Sequence, residues 1–306
     1  MSQIRKYSGV WPVAPTPFND DGALDLEGMK RVLDCMIDQG VDGICILANF
    51  SEQFLLSDEE RDVLTRLCLE HVADRVPVIV TCSHFATDIV VARATQAKEL
   101  GAAMIMLMPP YHGALMRGTA QQTFDQFKAA GAAGIPIMVQ DAPLSGVELP
   151  VELLVRMARE IEAVTCFKIE CAQAANKLRA LIAAGGEAIE GPFDGEEGIT
   201  LLADLDAGAT GCMTSALIPD LIGPVIAAHL NNDRPAAQSG YERILPLINH
   251  ENRLCGFRAA KAVLKQGGVI GSDFCRHPIA PLPPEVHATL LALVGSLDPL
   301  ALRWGH

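Results

Sequence analysis

Val164-Thr165-Cys166-Phe167-Lys168-Ile169-Glu170 is a run of seven residues, apolar except at one hydroxyl and two charges. It is too short and too evenly apolar for a surface helix, and it suits a strand buried on both faces. Seven further stretches read the same way: Gly9–Pro15, Asp42–Ala48, Pro77–Cys82, Met104–Pro109, Pro136–Ala142, Ala188–Gly191 and Gly211–Ala216. Helical patterns lie between them. Leu26, Met29, Val32, Leu33, Met36 and Ile37 recur at helical spacing after Asp25, and Ser57-Asp58-Glu59-Glu60 is a capping box. Gly40, Gly101, Gly131, Gly185 and Gly208 fall at helix ends, where a left-handed residue is expected.

Eight strand–helix units with short links predict a parallel sheet with right-handed crossovers, and eight is the number that closes into a barrel. The expected fold class is α/β, a TIM (β/α)8 barrel over residues 1–230. From about Asn231 the pattern turns helical. Tyr241–Ile248, Leu254–Gln266 and Pro284–Val294 read as additional C-terminal helices, an extension over residues 231–306 packed on the barrel. An open doubly wound sheet is the alternative architecture, but no GxGxxG follows the first strand and no P-loop is present.

The chain has 306 residues, half of them hydrophobic and a fifth charged, which is a globular composition with room for a large core. No run of roughly eighteen apolar residues occurs, so no membrane span is expected. The opening MSQIRKYSGVW has no apolar stretch after its basic residues and is not expected to be a secretory signal. Nine cysteines, none in a CxxC pair, include Cys45, Cys82, Cys166 and Cys212 inside apolar segments. That pattern predicts reduced, buried thiols in a cytoplasmic protein, with neither disulfides nor a zinc site. A net charge of −13 and low aromatic content argue against a nucleic-acid partner.

In barrels of this kind the chemistry sits at the C-terminal ends of the strands. Those ends carry Asn49-Phe50-Ser51-Glu52, Ser83-His84, Tyr111-His112, Gln140-Asp141, Lys168-Ile169-Glu170, Asp194-Gly195-Glu196-Glu197 and Thr214-Ser215. Of the eight lysines, Lys30, Lys98, Lys128, Lys177, Lys261 and Lys265 fall in helical patterns, where they are expected to face water; Lys6 is near the terminus. Lys168 alone lies in a strand. A buried ammonium either pairs or shifts its pKa downward, and a neutral lysine attacks ketones to form a Schiff base. Two readings of Lys168 stay open: a nucleophile, or a long side chain that snorkels or pairs with Glu170. Glu170 shares its side of the strand, as a general acid–base or as a plain ion-pair partner. His84 and His112 lack metal-ligand spacing and suit hydrogen-bonding or wall roles. Asn249-His250-Glu251-Asn252 reads as a helix–helix junction.

These residues resemble the dihydrodipicolinate synthase and N-acetylneuraminate lyase superfamily of class I aldolases. The resemblance covers essentially the whole chain. It is carried by Val13-Ala14-Pro15-Thr16-Pro17-Phe18 with Asp21-Gly22, by Gly40-Val41-Asp42-Gly43, by Pro109-Pro110-Tyr111, by Phe167-Lys168-Ile169-Glu170 and by Gly208-Ala209-Thr210-Gly211. It implies Lys168 as the Schiff-base residue, substrates derived from 2-keto acids, and a homotetramer.

Three departures bear on the reaction. Ala48-Asn49-Phe50-Ser51-Glu52 replaces the family's Gly-Thr-Thr-Gly-Glu, so backbone N–H groups of Asn49 and Phe50, with Ser51 or Asn49 as side-chain donor, take the substrate carboxylate. His112 stands where the synthases have a second tyrosine. Gln140-Asp141-Ala142-Pro143 replaces the stretch with the catalytic tyrosine. Glutamine does not titrate and cannot shuttle the C4-hydroxyl proton of an aldol cleavage. With the stretches around Ile46–Phe54, Thr81–Phe85 and Ile189–Glu197, this pattern resembles a sugar-acid dehydratase branch of the family. The implied reaction is dehydration of L-2-keto-3-deoxyarabonate to 2,5-dioxopentanoate, a hydro-lyase step. Lys168 forms the imine, Glu170 and Glu197 divide the acid and base work, and Gln140, His84, Tyr111 and His112 orient the hydroxyls. The lysine is the electron sink, so neither metal nor organic cofactor is required. The alternatives are a 2-keto-3-deoxy sugar-acid aldolase releasing pyruvate, and a non-catalytic keto-acid-binding barrel.

Overall fold

The computed structural model describes residues 7–112, 116–142 and 146–306, with the side chain of His112 outside the described part. Pro143, at the end of the fifth-strand motif, lies outside the described residues. Among the described residues eight βα units follow one another, the succession of a (β/α)8 barrel. The strands are β1 (Gly9–Val10), β2 (Ile44–Ile46), β3 (Val78–Thr81), β4 (Met104–Leu107), β7 (Ile137–Asp141), β8 (Val164–Ile169), β9 (Gly191–Asp194) and β10 (Gly211–Cys212). A short antiparallel hairpin, β5 (Tyr111–His112) and β6 (Met116–Arg117), follows β4 and has no counterpart in the sequence reading.

The chain divides into two compact units, one of residues up to Gly9 with Ile79–Met213, the other of Val10–Val78 with Thr214–His306. Within the first, β3, β4, β7, β8, β9 and β10 pair in that order, and all the pairs are parallel. Their residues are almost all buried, the two-sided burial that the even apolar runs predict. Helices α3 (Thr87–Glu99), α4 (Ala120–Gly131), α5 (Val151–Glu160), α6 (Ala174–Gly185) and α7 (Leu201–Asp206) connect them. In the second unit Val13 bridges Cys45 and Ser215 in parallel, and Ile44 donates its N–H to the Pro77 carbonyl at 3.0 Å. Its helices are α1 (Leu26–Asp38), α2 (Asp58–Val72), α8 (Pro219–Leu230), α9 (Arg234–His250), α10 (Arg258–Gln266) and α11 (Pro284–Leu297). Asp25 caps α1, and the capping box of α2 forms as read, Ser57 Oγ accepting from Glu60 N and Glu60 Oε2 from Ser57 N. No helix among the described residues is long and apolar enough to cross a membrane.

Two sequence expectations need correction. The seventh strand lies at Gly191–Asp194, whereas Ala188–Gly191 was the expected stretch; Gly186–Ala188 form a 3-10 turn. Pro192 lacks a donor and disguises the strand, yet its carbonyl accepts from Thr210 N at 2.8 Å and keeps the ladder intact. Gly40, Gly101 and Gly208 adopt positive φ at helix ends, but Gly131 and Gly185 do not. Those two are glycines for room: a Cβ on Gly185 would lie 2.4 Å from Ile189 Cγ1.

Candidate active site

Side chains alternate across a strand, so register decides which residues share a face. In the first unit Gln140, Lys168 and Phe193 are mutual register partners along β7, β8 and β9; Asp141, Ile169 and Asp194 form the next row, facing the opposite way. The two rows do different work.

The first row brings an amine and an amide onto one carboxylate. Lys168 is only 4% exposed, and its Nζ lies 3.0 Å from Glu170 Oε2. Gln140, fully buried, donates from Nε2 to the same oxygen at 2.9 Å. The carboxylate therefore meets two donors on one oxygen, an arrangement that fixes its orientation against the amine. Gln140 Oε1 is buried with no protein partner. Glycine at 195 leaves room for the pair: a Cβ there would lie 2.8 Å from Lys168 Cγ, 2.9 Å from the Ile169 carbonyl oxygen and 3.0 Å from Glu170 Cβ. Glu197 follows in the same loop, buried, with a positive φ of 55°. Its charge and that of Lys168 both act on the Cys212 thiol.

The second row faces the helices. Lys177 of α6 reaches Asp141 Oδ2 at 2.5 Å, and Asp194 meets Asp204 of α7. Lys177, expected to face water, is thus largely buried. Cys171 hydrogen-bonds Asp141, and burial pushes its thiol up to about 11, which makes it a poor nucleophile.

Two expected substrate contacts in this unit hold local positions. His84 is exposed, and its Nδ1 accepts from Ala86 N at 3.0 Å, which places the ring proton on Nε2. Tyr111 is half-buried, burial raises its phenol pKa, and it stays a neutral hydroxyl.

In the second unit the Ala48–Leu55 segment folds as two 3-10 turns. Ser51 Oγ donates to the Ala14 carbonyl at 2.6 Å and accepts from Ala48 N at 3.1 Å. Its single proton is given to the Ala14 carbonyl in this structure. Asn49 Oδ1 accepts from Gln53 Nε2, and Phe50 packs edge-on to Phe257 at 6.3 Å. Glu52, with φ 58°, forms a fully buried ion pair with Lys261 of α10. Lys261 Nζ also donates to the Phe274 carbonyl at 2.7 Å and lies 4.4 Å from the Phe18 ring centroid. The expectation that Lys261 faces water is overturned. Helix α10 is buried over Ala259–Leu264, so its lysine has nowhere else to go. The Asn249–Asn252 cluster does join helices: His250 Nε2 contacts the Val286 carbonyl of α11 at 3.0 Å.

Among the described residues no group of three or more His, Cys, Asp or Glu side chains is arranged to hold a metal ion. The arrangement offers an amine, a carboxylate in contact with it, and an amide that does not titrate. Together these can form an imine and move a proton beside it.

Comparison with known proteins agrees. The L-2-keto-3-deoxyarabonate dehydratase of Azospirillum brasilense is 57% identical over 306 residues, spanning all of this chain and 99% of that one. A 4-hydroxy-tetrahydrodipicolinate synthase of Acidiphilium cryptum is 29% identical over 291 residues, 94% of this chain and 97% of its own. A Pseudomonas aeruginosa crystal structure assigned to a dihydrodipicolinate synthetase superposes with a TM-score of 0.89 at 32% identity, covering 95% of this chain and 99% of that one. The dihydrodipicolinate synthetase family model matches residues 6–296, and the chain belongs to that family.

Proposed function

We propose that this protein is a hydro-lyase that dehydrates L-2-keto-3-deoxyarabonate to 2,5-dioxopentanoate through a Schiff base on Lys168. The observation that carries the reading is the Gln140–Glu170–Lys168 contact, in a chain 57% identical over its whole length to a dehydratase of that substrate. Lys168 attacks the C2 ketone and loses water to give an imine. The cationic imine acidifies the C3 hydrogen, and Glu170, already against the amine, removes it. The enamine then expels the C4 hydroxyl as water, with Glu197 or the newly protonated Glu170 supplying the proton. Tautomerisation carries the unsaturation to C5 as an aldehyde, and hydrolysis frees the lysine. In this reading Gln140 positions Glu170 and contacts a substrate hydroxyl, as do His84, Tyr111 and His112. The carboxylate is assigned, with the family, to the backbone of Asn49 and Phe50.

The reading extends to a cytoplasmic homotetramer acting in L-arabinose breakdown. Family membership and nine free cysteines support it. The deciding experiment incubates the protein with candidate 2-keto-3-deoxy acids and borohydride, then locates the adduct by mass. An adduct on Lys168 with a five-carbon product is expected. Pyruvate release in a coupled assay would establish an aldolase instead. An unmodified chain, or a label on another lysine, would remove the mechanism.

A further inference from the structure

The segment assigned to the substrate carboxylate is held by side chains far along the chain. Asn49, Phe50 and Ser51 lie between two left-handed residues, Leu47 and Glu52, both at φ 58°. Neither is a glycine, and such residues are strained and persist only where their surroundings hold them. On one side the stretch after β1 does so. Ser51 Oγ donates to the Ala14 carbonyl at 2.6 Å, and Thr16 Oγ1 donates to the Ser51 carbonyl at 2.7 Å. On the other side stands the C-terminal tail.

Helix α10 meets the segment at two points. Phe257 caps the helix and sets its ring edge-on to Phe50, with centroids 6.3 Å apart. Lys261, four positions on and so on the same face, pairs with Glu52. Lys261 is fully buried, and Glu52 is buried too. Glu52 Oε1 takes the ammonium, and Oε2 accepts from the backbone N–H of Arg276 at 3.3 Å. The tail thus engages both oxygens of the glutamate.

Arg276 fixes the far end of the segment. Its guanidinium donates to the Leu55 carbonyl at 2.9 Å, where the second 3-10 turn ends, and to the Gly22 carbonyl at 2.8 Å. It also donates to both oxygens of Glu60 in the first turn of α2. A planar fork that makes these bonds at once is peculiar to arginine. The buried Phe18 ring packs against both cations, 4.4 Å from Lys261 Nζ and 4.3 Å from Arg276 Cζ. Each cation has a carboxylate of its own, Glu52 or Glu60, so charge balances within the network. Its contribution to an anionic substrate is therefore geometry and not attraction.

We propose that Glu52, Lys261 and Arg276 are positioning residues that clamp the Asn49–Ser51 turn in the conformation in which its backbone N–H groups meet the carboxylate of a 2-keto acid. The inference rests on the Schiff-base reading, with the carboxylate assigned to Asn49 and Phe50, and deepens it. It makes the C-terminal tail a determinant of affinity for keto acids over neutral ketones, with no part in the attack by Lys168.

The test compares two small ketones, one with a carboxylate and one without. Borohydride trapping at Lys168 is titrated with pyruvate and with hydroxyacetone on the wild type, on Arg276→Lys and on the double variant Glu52→Leu/Lys261→Met. The double variant leaves no lone charge, so much of the stability returns while the clamp is gone. Its half-saturating pyruvate concentration is expected to rise about ten-fold or more, with that for hydroxyacetone within about two-fold. R276K, which lacks the fork, is expected to raise the pyruvate value by about three- to ten-fold and to leave hydroxyacetone within about two-fold. It decides the matter if the double variant does not fold. Equal shifts for the two ketones, as a general loosening of the fold would give, overturn the clamp. So does wild-type pyruvate affinity in the double variant, or in R276K where the double variant does not fold. A wild type that traps pyruvate but makes no 2,5-dioxopentanoate from L-2-keto-3-deoxyarabonate sinks the dehydratase reading alone, and the two titrations still decide the clamp. A wild type that traps neither ketone removes both.

Discussion

Gln140 Nε2 donates to Glu170 Oε2 at 2.9 Å, the same oxygen that lies 3.0 Å from Lys168 Nζ. The amide and the amine approach one carboxylate oxygen from adjacent strands, and neither strand can shift without disturbing the ladder between them. Replacing Gln140 by leucine keeps the volume and removes the donor. Glu170 then gains rotational freedom, and kcat is expected to fall by roughly 10- to 100-fold, the usual cost of a misplaced proton-transfer group. Borohydride trapping at Lys168 should persist, because the amine is untouched. Loss of trapping together with kcat would show that Gln140 serves the lysine and not the glutamate.

Gly195 offers a test of spacing. The Cβ of an alanine would press on Lys168 Cγ, Glu170 Cβ and the Ile169 carbonyl at once. The carbonyl belongs to the β8 backbone and cannot yield, so the lysine stem must. G195A is expected to cost about 1–3 kcal/mol of stability from overpacking, and about ten-fold or more in kcat from displaced side chains. A variant with native kcat would show that the stem moves freely and that the geometry at Lys168 is not tightly held.

Strand β8 ends one residue before its expected limit, and the contact between Lys168 and Glu170 follows from their two-residue spacing alone. Period and composition report local conformation well. They do not report what lies opposite. Lys261 sits in a helix between Arg258 and Lys265, and its partner Glu52 is 209 positions away. Nothing local marks the pairing except the run Ala259-Ala260-Lys261-Ala262-Val263-Leu264, too apolar to leave its lysine in water. Asp194 and Asp204 are equally silent, since the burial of both depends on what packs across the layer. Strand β9 is hard to place from sequence because Pro192 breaks the apolar signal of a strand that its carbonyl nonetheless completes. Sequence thus marks the amine and the carboxylate that the structure brings together, and hides the contacts around them.

The buried Lys261–Glu52 pair makes a stability prediction. Removing one partner leaves the other charge in a medium that solvates it poorly. Lys261→Met is expected to lose about 3–5 kcal/mol in urea unfolding, and Glu52→Leu a similar amount. The double variant should lose markedly less than the sum, because no lone charge remains. Additive losses would mean that Lys261 and Glu52 act through other neighbours, such as the Phe274 carbonyl and the Arg276 backbone N–H.

Glu251 makes a prediction whose sign is fixed. It lies in the π-helical turn Glu251–Cys255, fully enclosed, and burial pushes its pKa up to about 7, against a smaller lowering from the Ser215 hydroxyl. In the unfolded chain a glutamate titrates near its ordinary value of about 4.3. Below that value both states are protonated and no penalty exists. As pH rises toward 7 the unfolded chain loses the proton that the folded chain keeps, so stability falls; above about 7 the penalty levels off at roughly 4 kcal/mol. Glutamine at 251 resembles the protonated acid and cannot titrate. The stability of Glu251→Gln relative to wild type should therefore rise across pH 5–7 and become flat by about pH 8. Any constant offset from changed packing leaves that slope intact. A difference that does not vary over this range would mean that Glu251 ionises in the folded protein as it does in water, and that the enclosure seen around it does not persist in solution.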